Sequence, residues 1–111
     1  MNALQRRDVQ GLRKMRYRIS NVNKRKEIGR ADTSVIGRIV EFNLNDIRKM
    51  MGSGEPVLVK CVADCVGVPY SKSQNVSMPL KNIISINWFY GKKTIVIEDR
   101  EAIYTFDKVE K

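Results

Sequence analysis

The chain has no histidine, two cysteines, three prolines and one tryptophan in 111 residues. Each scarcity narrows the possible functions. Without His, the side chain that most often moves protons near neutral pH is missing. The commonest metal ligand is missing with it. Cys61 and Cys65 supply only two of the roughly four ligands a structural site needs, so this pair could serve only a site shared between subunits. A disulfide between them fails on reach: four residues along a strand span about 13 Å, whereas bridged Cα atoms lie within ~7 Å. Two reduced thiols fit a reducing, cytoplasmic setting. No apolar run approaches the ~18 residues of a membrane span. The first residues lack the apolar block of a secretory leader.

Candidate catalytic groups are equally scarce. Ser71 and Ser73 have no base partner, and Gly52-Ser53-Gly54 opens onto no helix and is therefore no phosphate loop. Asp64 reads as a strand-face carboxylate beside Lys60, and Asp99 and Glu101 as solvated turn residues around Arg100. The sequence therefore predicts a non-enzymatic protein with no cofactor, no metal and no catalytic residues.

What the chain does have is positive charge, concentrated at one end. Its net charge is +9. Residues 1–30 carry ten Lys or Arg against two acids, and residues 31–111 carry eleven against ten. A nearly neutral domain thus carries a basic arm, which points to a polyanionic partner. Seven of the ten arm cations are Arg, which forks onto phosphate and stacks on bases better than Lys.

Within that arm Leu12, Met15, Ile19 and Val22 recur at spacings of three, four and three, and no Pro interrupts them. The spacing predicts an amphipathic helix over 1–30 with a narrow apolar seam and a cationic polar face, ended by Gly29. A β-rich domain follows over 35–106. Strands are expected at 35–42, 57–66, 83–89, 94–98 and 102–106, with an edge or irregular stretch at 76–80 because Pro79 removes a ladder donor. A short helix begins after Asn43, which is placed as an N-cap, and stops at Gly52. Trp88 alternates with Ile84 and Ile86 and reads as core. The expected fold class is α+β: a long basic N-terminal helix, then a small curved antiparallel sheet of about five strands, open or closed into a partial barrel, with one short inserted helix.

The functional expectation is nucleic-acid binding, to DNA or RNA, through the phosphate backbone. The residues assigned to it are Arg6, Arg7, Arg13, Lys14, Arg16, Tyr17, Arg18, Lys24, Arg25, Lys26, Lys92 and Lys93. Tyr17 within the arm, and Tyr90 beside Lys92 and Lys93, interleave aromatic groups with cations in the manner of single-strand binders. The alternative is a protein-interaction module or a small inhibitor of a nucleic-acid-handling complex. It would act through the seam Leu12, Met15, Ile19 and Val22, which could also form a homodimer, or through the sheet edge at 76–80.

Overall fold

The computed structural model describes residues 14–24, 33–71, 74 and 76–109. It shows seven strands: β1 (Met15–Lys24), β2 (Ile39–Phe42), β3 (Val57–Ala63), β4 (Ser77–Leu80), β5 (Ser85–Phe89), β6 (Thr94–Glu98) and β7 (Ala102–Lys108). One short helix, α1 (Leu44–Met50), and a 3-10 turn, Thr33–Val35, complete the described elements. All seven strands join one antiparallel sheet in the order β4-β3-β2-β1-β7-β6-β5.

This corrects the expected fold class. The described part of the basic segment is not a helix preceding the sheet. It is β1, the longest strand, which pairs with β2 on one side and β7 on the other. The misleading signal has an identifiable cause. Tyr17 and Ile19 face the core at the two-residue spacing of a strand, and then the register against β7 shifts between Ile19 and Asn21. A bulge inserts one residue and moves the next inward position to Val22. Met15, Ile19 and Val22 therefore stand at spacings of four and three, which imitate a helical stripe. The seam proposed for a partner is accordingly occupied: Ile19 and Val22 are buried in this protein's own core, and Met15 packs against it. Leu12 lies outside the described residues.

The sheet is strongly curled, as the chain path from β4 to β5 requires. These two strands are the opposite edges and do not pair with each other. In a flat sheet six inter-strand gaps would separate them by about 29 Å. The chain crosses from Leu80 to Ser85 in five Cα steps, at most about 18 Å. The sheet must therefore roll until its edges approach. Lys81 marks the joint, because its N–H donates to the Asp99 carboxylate at 2.9 Å and its carbonyl accepts from the Arg100 N–H at 2.8 Å. Inside the roll lie Val40, Phe42, Val59, Leu80, Ile95, Ile97, Tyr104 and Phe106 from five strands, together with Ile19 of β1.

Asp99 is not a solvated turn residue. It is 1% exposed, and its carboxylate accepts from the N–H groups of Lys81, Glu101 and Ala102 at 2.8–2.9 Å. It ties the β6–β7 turn to the β4–β5 crossing.

Helix α1 starts where the sequence places it. The Asn43 side chain accepts from the Asn45 N–H at 2.8 Å and the Asp46 N–H at 3.4 Å. Leu44 and Ile47 turn inward and add to the core, leaving Arg48 and Lys49 exposed. The other inserted turn needs a particular residue. Gly37 has φ +93, its N–H donates to the Ile19 carbonyl at 2.7 Å, and a Cβ there would run into the carbonyl oxygen of Cys65. Only glycine meets both conditions.

Candidate nucleic-acid interface

On β1 the strand alternation directs Tyr17 and Ile19 inward, so Lys14, Arg16 and Arg18 share the outer face. Successive members of this row stand about 7 Å apart along the strand. All three are exposed. Arg16 meets Glu41 of β2 at 3.3 Å, an exposed pair that leaves half of the Arg side chain accessible. Arg18 lies across from Asp107 of β7, whose carboxylate accepts the Thr94 hydroxyl at 2.9 Å.

The structure brings the remote lysines to the same place. The Val109 N–H donates to the Arg16 carbonyl at 2.9 Å, and the Lys108 N–H donates to the Lys93 carbonyl at 2.7 Å. The start of β1, the end of β7 and the start of β6 thus lie side by side. Lys14, Arg16, Lys108, Lys93 and Lys92 form an exposed cationic row along this end of the roll, with Lys14 and Arg16 on its outer face and Lys108, in register with inward-facing Tyr17, on its inner face beside Lys93. Lys92 and Lys93 are more than seventy residues from Arg16 in sequence, so only the antiparallel ladder joins them. Lys108 is the member that sequence reasoning missed. The charged tail reads as frayed, yet β7 continues through Lys108 and its neighbour Val109 is held by β1. Nothing in the local sequence distinguishes it, because the signal is the pairing register.

The other assigned residues separate. Tyr17 is 3% exposed and stacks on Phe42 with ring centroids 4.6 Å apart, so it belongs to the core and is closed to a base. Burial pushes its phenol above its ordinary value. Lys24 ends β1. Arg6, Arg7, Arg13, Arg25 and Lys26 lie outside the described residues; Arg13 directly precedes Lys14 in the chain.

Trp88 is a second correction. It is 42% exposed rather than core, and the Arg48 guanidinium lies 5.1 Å from its ring centroid. Phe89 and Tyr90 follow it at 48% and 81% exposure. They were foreshadowed by the run Trp-Phe-Tyr at the end of a strand, where alternation cannot hide three consecutive rings.

The remaining polar groups serve the fold. Asp64 accepts from the Val66 and Val68 N–H groups at 3.0 Å each and closes the turn after β3. Cys61 is buried and Cys65 exposed, and both are free thiols. Burial raises the Cys61 thiol, and the neighbouring Arg38 guanidinium opposes part of that rise. Beside this turn Arg18, Ser20, Gly37, Cys65 and Gly67 line an open cleft of about 360 Å³. Among the described residues no three His, Cys, Asp or Glu side chains gather as a metal site. No described helix is long and apolar enough to cross a membrane. Compared with family models, curated proteins and solved structures, the chain matches none.

Proposed function

We propose that this protein binds nucleic acid without catalysing a reaction, gripping the phosphate backbone with the cationic row at the β1–β7–β6 end. The observation that carries this reading is the convergence of Lys14 and Arg16 with Lys92, Lys93 and Lys108 on neighbouring chain segments. Exposed cations gathered at one end of the sheet release counterions when they meet a polyanion, and the affinity gained is largely independent of sequence. In the sequence, Arg6, Arg7 and Arg13 precede Lys14 with one acid, Asp8, among them. In this reading the sheet, not a helix, sets the spacing of the charges. Free Cys61 and Cys65 are compatible with a reducing cytoplasm as the site of action.

The test is binding of labelled DNA and RNA at about 50 and 200 mM salt, for the wild type and for a Lys14→Ala/Arg16→Ala/Lys108→Ala variant. Three lost phosphate contacts lower the slope of log K against log salt by roughly 2–3 and weaken all sequences alike. An unchanged slope with unchanged affinity removes the row from the interface.

A further inference from the structure

The nucleic-acid reading leaves open whether the ligand is paired or single-stranded, and the end of β5 bears on that question. The chain has eight aromatic residues. Tyr17, Phe42, Tyr104 and Phe106 are buried, and Tyr70 is partly so. The other three, Trp88, Phe89 and Tyr90, are consecutive and exposed at the end of an edge strand. Trp88 pairs with buried Ile95 and so lies on the inward face of β5, with Phe89 on the outer face, yet all three rings stay exposed at this edge of the sheet.

The arrangement is built rather than loose. Arg48 of α1 covers one face of the Trp88 indole at 5.1 Å and fixes the ring by a cation–π contact. Phe89 points to the opposite side of the strand. Tyr90, Gly91 and Lys92 then take φ of 54, 64 and 70, three left-handed residues in succession. Two of them are not glycine, and such conformations persist where surrounding structure enforces them and cluster at binding sites. The Lys93 N–H donates to the Tyr90 carbonyl at 3.3 Å and closes the turn. Tyr90 is thereby held at the tip with Lys92 and Lys93 directly behind it.

We propose that the tip formed by Trp88, Phe89 and Tyr90 is a stacking site for unpaired bases, so that the ligand is single-stranded DNA or RNA. This rests on the nucleic-acid reading above. Bases expose their faces only when unpaired, and exposed rings beside cations capture them without regard to sequence. From Trp88 to Tyr90 the strand covers about 7 Å, roughly two base steps. Lys93 and Lys108 pair through their backbone, and Lys108 stands two residues from inward-facing Phe106, on the face of Trp88, so the backbone of the same strand would run along Lys92, Lys93 and Lys108.

Trp88 is the only tryptophan, so its emission reports on the tip directly. The experiment titrates the full chain at about 50 mM salt with a single-stranded oligonucleotide, a duplex of the same length, and vesicles containing anionic lipid. The expected result is quenching of Trp88 by the single strand and an affinity for it at least about tenfold above that for the duplex. Phe89→Ala and Tyr90→Ala, both at exposed positions, each weaken single-strand binding about five- to a hundredfold and leave duplex binding unchanged. If single strand and duplex bind equally, without quenching and without effect of either variant, the stacking site is refuted while the cationic row stands. Absence of binding to any nucleic acid refutes both readings. Quenching by vesicles alone assigns the tip to a lipid surface and overturns the proposal.

Discussion

Asp99 offers the sharpest test of how the sheet is closed. Its carboxylate is buried to 1% exposure and accepts three backbone N–H groups, at 2.9 Å from Lys81 and 2.8 Å from Glu101 and Ala102. Two of these bonds shape the β6–β7 turn. The third crosses eighteen residues to the joint between the sheet's two edges. Asp99→Ala removes all three acceptors and leaves the donors to recover what solvation they can. Hydrogen bonds to a charged group are worth about 1.5–3 kcal/mol each when deleted. Partial rehydration of the Lys81 and Glu101 amides lowers the total below the simple sum. The expected loss is therefore about 3–4 kcal/mol, a large share of the roughly 5–15 kcal/mol that holds a domain of this size. In urea this moves the unfolding midpoint down by about 2 M at an m-value near 2 kcal/mol/M. Asp99→Asn keeps an acceptor for the two turn amides but faces Lys81 with a donor, and should lose about half as much. Circular dichroism against urea measures both, and exchange of the Lys81 amide separates the joint from the turn. If Asp99→Ala stays within about 0.5 kcal/mol of wild type, the carboxylate does not hold the edges together and the account of closure is wrong.

Three further outcomes follow from local geometry. Gly37→Ala places a Cβ against the Cys65 carbonyl at φ +93 and should destabilise by about 2–4 kcal/mol, visible as a drop in the thermal midpoint; a neutral result would mean the 33–38 turn is misdescribed. Stability should fall as pH rises past about 10, because the unfolded chain releases the Tyr17 proton before the folded chain, where burial raises its pKa; Tyr17→Phe removes that part of the slope, and an identical alkaline profile in the variant would rule Tyr17 out as its source. Ellman's reagent at pH 8 should label the exposed Cys65 quickly and Cys61 only on unfolding, so two thiols of equal rate would contradict the packing of β3.

The sequence discloses most of the sheet beyond residue 56, because alternation there is regular and the turns carry their own residue types. Val57, Val59, Cys61 and Ala63 share a face as their spacing implies, and Asn43 caps the helix as its side chain requires. Two features defeat that logic. A bulge in β1 converts a strand into a helical imitation, and no local property of Ser20 or Asn21 announces it; only the partner strand reveals that one residue is unpaired. Trp88 obeys the alternation rule and still emerges from the core, because alternation gives the face of a residue and not whether anything lies above that face. At this edge strand, among the described residues, α1 reaches over that face with Arg48. The cationic row was half legible for a similar reason. Composition exposes the charge at the N-terminal end and the Tyr90–Lys93 turn names Lys92 and Lys93, but it takes the ladder to bring those two to Lys14 and Arg16 and to add Lys108.

The corrected fold changes what the proposed polyanion binding requires. A helical arm is an appendage, which can grip a polyanion in many orientations. Cations fixed on β1 and β7 cannot, since their separation is set by strands about 4.8 Å apart and by side chains alternating along them. Ile19 and Phe106, both fully buried, pair directly across β1 and β7 and lock that register. A substitution in the core between these strands should therefore weaken polyanion binding without touching a charge, whereas in a free arm it would not. Ile19→Ala creates a cavity costing about 2–5 kcal/mol and loosens the central pairing. If the row acts as a rigid template, affinity falls in this variant even at temperatures where circular dichroism shows it folded. If affinity holds, the charges act as a flexible cloud and the sheet merely carries them.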